Sequence, residues 1–451
     1  MHEVNDDSIK LREEVFAYAR KRLEYDPAPL DGPRSPEWLR ENAGTSISET
    51  GIGGHKALEI FGEILAPATI STDHPNYLSF IPSAPTEASK LFDLIVSASA
   101  IYGGSWMEGA GAVYAENEVL AWLAREVGLP STAGGVFVQG GTLGNLSALV
   151  AARHAAAKMR TDQGIAQPTK WKFICSAEAH SSLKSAAAVM DVQIIKAQVD
   201  AKGHLRGDSV AEALSNAGDG VFAIVATAGT TNFGIVDKLD EIARVANENQ
   251  IWFHVDGAYG LAALCAPSVR AKFKGIETAD SLIVDPHKWL FAPFDACALI
   301  YRNPKLAKRA HLQKASYLET LDEDDEWNPS DYAIHLTRRA RGLPFWFSLA
   351  AHGTDEYAKA MERTMEVARD AAEQVRNHKN LKLVLEPSLS IVAFERVGWE
   401  RADYEKWSDQ LLADQIGFVT ASAHKGKPIL RFAIVNPWTK ESDISAILAT
   451  L

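Results

Sequence analysis

Between residues 136 and 302 one pattern recurs seven times: a short, almost unbroken apolar run rich in β-branched or aromatic residues. The runs are VFVQ at 136, KFICSA at 172, VQIIKAQ at 192, FAIVATAG at 222, WFHVDGA at 252, SLIVDP at 281 and ALIYR at 298. Stretches of helical period, such as LSALVAARHAAAKMR and LDEIARVANENQ, separate several of them. A strand that is apolar at every position has to be covered on both faces, and alternating helices supply that cover. The pattern therefore predicts an α/β fold built on a seven-stranded, mostly parallel sheet.

The flanks read differently. Residues 8 to 24 place Leu11, Val15, Tyr18 and Leu23 at helical spacing, which predicts an amphipathic helix. The Pro- and Gly-rich EYDPAPLDGPRSPEWL that follows reads as an extended connection, and helical patterns come next around KLFDLIVSASAIY and YAENEVLAWLAREVG. After residue 345 the order helix, two strands, helix, strand, helix predicts a small α+β unit. The expected division is an N-terminal helical and extended segment (1–70), a large α/β domain (71–344) and a small C-terminal domain (345–451). The acidic run DEDDE at 322–326 reads as a solvated loop.

Composition removes several function classes. A net charge of −12 argues against a nucleic-acid partner, which needs concentrated Lys and Arg. Cys175, Cys265 and Cys297 are too few and too scattered for a disulfide framework or a zinc site, and their apolar surroundings predict buried thiols. No stretch approaches the roughly 20 apolar residues that cross a bilayer. The acidic N-terminus lacks an apolar core of the signal-peptide kind, so the expected compartment is the cytoplasm.

Five strand ends carry residues with chemistry. Lys288 follows the run SLIVDP, at the end of the sheet where open α/β folds bind ligands. A lysine partly removed from water there loses basicity and can form a Schiff base near neutral pH. Asp256 ends a buried strand 32 residues earlier, and a carboxylate in that position needs a cation. The ring nitrogen of pyridoxal 5′-phosphate (PLP) is such a cation, and an ionised Asp keeps it protonated. Gly257 and Ala258 suit a site where a ring lies against the backbone.

A strand, the pair Gly140-Gly141, Thr142 and then a helix from Leu143 form a phosphate cup, whose free N–H groups point at an anion. The loop is neither GxGxxG nor a Walker motif, which weakens dinucleotide and nucleotide readings. His180 opens a helix after a strand, where an imidazole could stack on a cofactor ring. Thr227, Thr230 and Thr231 follow another strand as further hydrogen-bond donors.

Together, the phosphate loop, His180, Asp256 with Ala258, and the HK pair before Trp289 resemble the group II PLP-dependent decarboxylases of fold type I. Aromatic-L-amino-acid, histidine and tyrosine decarboxylases belong to that group. The resemblance runs from HPNYLSFIP at 74–82 to LRFAIVNPW near 430, and VDPHKWL is its most specific piece. It implies that Lys288 carries the cofactor, Asp256 pairs with the ring nitrogen and His180 stacks on the ring. Gly141, Thr142, Leu143, Thr231, Ala258, Asp285 and His287 would help to hold the cofactor, with Phe80, Ser83 and Gly104 beside the substrate. The implied reaction is decarboxylation of an L-amino acid, with an aromatic side chain as one option. The implied assembly is a homodimer in which residues around Ile101 to Trp106 reach the neighbouring site.

Departures from the family pattern matter. Gly141-Thr142-Leu143 stands where relatives often have Ser-Ala-Ser, so backbone donors must do more. Asp285 replaces a common Asn. Phe80 and Ile81 stand where aromatic-acid enzymes tend to have Tyr and Phe, and Gly104 replaces a bulky aromatic, which predicts a pocket enlarged on one side. The loop between Leu318 and Arg338 is short, and its single Tyr, Tyr332, is the candidate proton donor. Arg431 is a candidate partner for the substrate carboxylate, or an interdomain structural Arg. Two alternatives stay open: decarboxylation with oxidative deamination to an aldehyde, and a catalytically silent binding protein of the same fold.

Overall fold

The computed structural model describes residues 2–313 and 326–451. All of the acidic run except Glu326, and the first part of the Leu318–Arg338 loop, lie outside the described residues.

Helix α1 (Asp6–Leu23) starts at an Asn5–Ser8 capping box, with Asp6 and Asp7 in its first turn and Arg20, Lys21 and Arg22 in its last. Those charges oppose the helix dipole at both ends. None of its side chains is fully buried, and its Tyr18 ring meets Phe61 edge-on, 5.6 Å between centroids. The connection after it is not extended throughout. Ser35 caps a short α2 (Pro36–Ala43) with Pro36 at its first position, where a missing N–H costs nothing. Helices α3 (Gly54–Ile60), α4 (Glu87–Ala98) and α5 (Trp106–Val127) complete the N-terminal part.

The seven apolar runs form one sheet: β1 (Gly134–Val138), β2 (Lys172–Ser176), β3 (Gln193–Ala197), β4 (Val221–Thr227), β5 (Trp252–Asp256), β6 (Ser281–Val284) and β7 (Cys297–Tyr301). Their order is β1-β7-β6-β5-β4-β2-β3, parallel except for β7, which runs against both neighbours. The connecting helices are α6 (Gly141–Asp162), α7 (Ser181–Met190), α8 (Gly207–Ala217), α9 (Leu239–Glu248) and the single turn α10 (Pro286–Trp289). Helices α11 (Pro304–His311), α12 (Leu343–His352) and α13 (Thr354–Asn377) follow the sheet.

Period two divides the strands between two cores. Phe137, Ile174, Ile224, Phe253 and Leu282 face one side, and Val136, Phe173, Val225 and Ile283 the other. The same rule puts Trp252, His254 and Asp256 on a single face of β5.

The second sheet, order β10-β11-β9-β8, is antiparallel and contains β8 (Leu381–Leu383), β9 (Ile391–Arg396), β10 (Ala421–His424) and β11 (Lys427–Ala433), with α14 (Arg401–Ala413) and α15 (Glu441–Leu448). Strand β10 was not among the expected elements. It pairs with β11 through the two-residue turn Lys425-Gly426, both at positive φ, while its sequence ASAH has little apolar pattern to announce it.

Candidate active site

Most of the residues expected to carry chemistry meet where β1, β2, β4, β5 and β6 end. Helix α6 begins at Gly140 with no side-chain cap, so the N–H groups of its first turn are open to an anion. A Cβ added to Gly141 would lie 3.2 Å from Asp285 Oδ2 and 3.3 Å from the Ala258 Cβ, and one on Gly140 would lie 3.8 Å from the His287 ring. Asp285, His287 and Ala258 therefore border the cup. Gly257 has another reason to be glycine: a Cβ there would overlap the Leu261 side chain.

Lys288 Nζ lies 2.8 Å from Asp285 Oδ2, and a quarter of the lysine side chain remains exposed. Burial lowers the lysine pKa, but the Asp285 charge, its hydrogen bond and the Asp256 charge outweigh burial and hold it above the ordinary value. This reverses the expected loss of basicity, because that expectation took desolvation alone. Asp285 is itself held low: burial would raise it, and Lys288 and His287 more than compensate. Asp285 Oδ1 is buried without a hydrogen-bond partner. His287 accepts at Nδ1 from the Ala296 N–H at 3.0 Å, and burial holds its imidazole below the usual range. Trp289 faces away, stacked on Tyr259 at 5.1 Å and donating to Thr364 Oγ1 at 3.0 Å.

Asp256 is 6 % exposed. Its Oδ1 accepts from the Ala258 N–H at 3.2 Å, and its Oδ2 from Asn145 Nδ2 at 2.8 Å. Asn145 also donates to Ser182 Oγ at 3.0 Å, which lies 3.0 Å from His180 Nδ1. His180 caps α7, accepting from the Ser182 N–H at 3.2 Å, so in the neutral ring Nε2 carries the proton. Asn145, Ser182 and His254 escaped the sequence reading. A polar residue two places before Asp256 in a buried strand was the available signal.

Thr231 is exposed, and its carbonyl accepts from Arg431 Nη1. Arg431 Nη2 donates to the Phe80 carbonyl at 2.7 Å. Burial pulls the Arg431 pKa down to about 10, which leaves it charged at neutral pH. Thr230 Oγ1 is engaged by the Ile235 N–H, and the buried Asp237 carboxylate pins the same loop through the Thr227 and Leu205 N–H groups.

Two expected residues, Ser83 and Tyr332, are not brought to this cluster. Ser83 is fully buried and donates to the Ala292 carbonyl at 2.7 Å, so its hydroxyl anchors the segment after Lys288 instead of facing a substrate. Gly104 belongs to the segment expected to reach the neighbouring site, and a Cβ added to it would meet the Tyr102 ring of its own chain. Tyr332 is buried, stacked on Trp327 at 4.2 Å, with its carbonyl accepting from the Tyr301 hydroxyl. Tyr301 pairs with Ser281 and Gly134, the first residues of β6 and β1, which places Tyr332 at the end of the sheet opposite Lys288.

The residues fit PLP. The uncapped helix suits its phosphate, Lys288 its aldehyde and the half-satisfied Asp256 its ring nitrogen, while His180 is exposed beside them.

Comparison with known proteins agrees. Residues 36–397 match the model of the pyridoxal-dependent decarboxylase conserved domain. The chain is 28% identical to an aromatic-L-amino-acid decarboxylase of Bacillus atrophaeus, over 93% of this chain and 89% of that protein. It is 26% identical to the acidic amino acid decarboxylase GADL1 of Xenopus tropicalis, over 85% of this chain and 78% of that protein. A crystal structure of Oryza sativa TDC with PLP and tryptamine superposes with a TM-score of 0.91 at 23% identity, covering 100% of this chain and 99% of that one. The chain belongs to the pyridoxal-dependent decarboxylases, lyases that use PLP to remove the carboxyl group of amino acids.

Proposed function

We propose that the substrate is an L-amino acid with an aromatic side chain, released as its amine. The observation that carries this choice is a pair of exposed rings at the rim, Phe80 at 59 % and Phe294 at 53 %. Phe294 leans on His287 with centroids 5.1 Å apart, and Phe80 belongs to the segment held by Arg431. Exposed rings of this size offer an apolar, stackable wall to another ring.

The roles of the chain's residues follow from their partners. When bound, PLP supplies an electron-accepting ring that takes up the charge left at Cα when CO2 departs. Open N–H groups at Gly141, Thr142 and Leu143 hold its phosphate, with His287 alongside. Asp256 accepts from the ring nitrogen through the lone pairs that Asn145 and Ala258 leave free. His180 turns its Nε2–H outward, where it can donate to the substrate carboxylate. Arg431, a buried cation whose polar contacts are two backbone carbonyls, gains a carboxylate partner when substrate arrives.

The protein is proposed to be a homodimer, supported by exposed apolar side chains on α4 (Leu91, Leu94, Ile95) and α5 (Met107, Tyr114). Three unpaired cysteines support a reducing, cytoplasmic setting.

A second reading is favoured by the position of Tyr332. With that hydroxyl remote, carbanion reprotonation lacks its expected acid, and O2 can intercept. One amino acid, O2 and water would then give aldehyde, CO2, ammonia and hydrogen peroxide.

The test is to incubate PLP-loaded protein with each common amino acid while measuring CO2, amine, aldehyde, ammonia and peroxide. Fastest CO2 release from Trp, Tyr, Phe or DOPA with stoichiometric amine is expected. Preference for Glu or Asp would overturn the substrate class, and aldehyde with equimolar peroxide would establish the second reading.

A further inference from the structure

Five side chains form a single file beneath the site. Trp252 Nε1 donates to Ser281 Oγ at 2.8 Å, and Ser281 Oγ lies 2.8 Å from His254 Nδ1. His254 Nε2 lies 2.9 Å from Asn145 Oδ1, and Asn145 Nδ2 reaches Asp256 Oδ2 at 2.8 Å and Ser182 Oγ at 3.0 Å. His254 and Ser281 are 0 % exposed and Asn145 is 1 % exposed, so no water substitutes for these partners.

The donor and acceptor rules fix every orientation in the file. A carboxylate accepts, so the amide nitrogen of Asn145 must face Asp256 and its oxygen must face His254. His254 must therefore carry its proton on Nε2, leaving Nδ1 to accept from the Ser281 hydroxyl. That hydroxyl is free to donate because its own lone pair takes the Trp252 N–H. Burial keeps the His254 imidazole neutral by pushing its pKa down. The file thus has one direction, from Trp252 to Asp256, and a side branch from Asn145 through Ser182 to His180.

We propose that Asn145, locked by His254 in this one orientation, is a positioning residue that aims two cofactor contacts at once. Through one N–H it fixes the Asp256 carboxylate, and through the other it fixes the Ser182 hydroxyl that orients His180. Without the lock the amide turns over, and its oxygen faces the Asp256 carboxylate. Lone pairs then oppose each other, and the carboxylate rotates away from the ring nitrogen or takes up a proton.

The inference rests on Asp256 as partner of that nitrogen. It is tested first without cofactor: 15N NMR of histidine-labelled apoprotein, with His254 assigned by the His254→Gln variant, should show a protonated Nε2 and a bare Nδ1 at pH 7. A bare Nε2 would overturn the proposal whatever the variants do. Asn145→Leu and His254→Phe are then loaded with PLP. Both should keep PLP affinity within a few-fold, lose kcat on the order of 10- to 100-fold, and shift the pH titration of the bound cofactor's absorbance. Trp252→Phe, at the far end, should shift it least. Folded variants of Asn145 or His254 with wild-type kcat and titration would overturn the proposal. If Asp256→Asn also leaves the titration unchanged, the role of Asp256 itself is wrong; if Asp256→Asn abolishes turnover while Asn145→Leu does nothing, only the present inference fails.

Discussion

The floor of the site and its rim are built by different rules. The floor lies at the ends of β1, β5 and β6, where side chains are placed by strand period and by buried partners: Asp256 at 6 % exposed and Asp285 at 1 %. The rim is made of Phe80, Thr231 and Arg431, which come from separate loops and from the second sheet and meet through backbone carbonyls. On the floor, a residue type at a strand end was enough to assign a place. At the rim, neighbours far away in sequence decided: Arg431 holds the Thr231 carbonyl 200 positions away and the Phe80 carbonyl 351 positions away. A buried polar group must be satisfied, so the floor tolerates few arrangements, whereas a rim contact can be replaced by water.

The largest expected effect is at the floor. Lys288→Ala should abolish the absorbance of lysine-bound PLP and all measurable turnover, and borohydride reduction of the loaded wild type should label Lys288 in peptide mapping. A label on another lysine would break the floor assignment outright.

A second change sharpens the account of the floor's charge. Asp285 raises the Lys288 pKa and burial lowers it, so Asp285→Asn leaves burial less opposed and the lysine loses its proton at lower pH. Capture of PLP requires the neutral amine. The pH at which capture by apoprotein reaches half its maximal rate, followed by stopped-flow absorbance, should therefore fall in Asp285→Asn. A midpoint that stays or rises would show that the ion pair does not govern this lysine.

Arg431 probes the rim through binding. Arg431→Leu should raise KM for the amino acid about tenfold or more, the roughly 1.4 kcal/mol or above of a charge-assisted pair, with a smaller change in kcat. An unchanged KM with a lowered melting temperature would make Arg431 a structural tie between the two sheets.

The smallest effect is expected at Gly104. Gly104→Phe must displace the Tyr102 ring, an overpacking cost of about 1–3 kcal/mol that denaturant unfolding would register, with substrate preference unchanged. A stable variant with altered preference would mean that Tyr102 moves aside and that Gly104 faces a substrate, as the family resemblance implies.

The sequence by itself determined the seven-stranded sheet and the set of strand ends that meet at the floor. Continuous apolar runs have only one economical cover, and parallel strands bring their C-terminal ends together, so Lys288, Asp256, His180 and the Gly141 loop could be grouped from their positions alone. Tertiary structure decided what local pattern cannot encode. The short β10 exists because β11 offers it a partner, and Lys288 is more basic than burial suggests because Asp285 sits 2.8 Å away. Tyr332 lies at the far end of the sheet because Trp327 stacks on its ring and Tyr301 holds its carbonyl. His254 matters because Asn145, 109 residues away in sequence, folds back onto it in α6. Periodicity reports which face a residue occupies; only packing reports which atom it meets there.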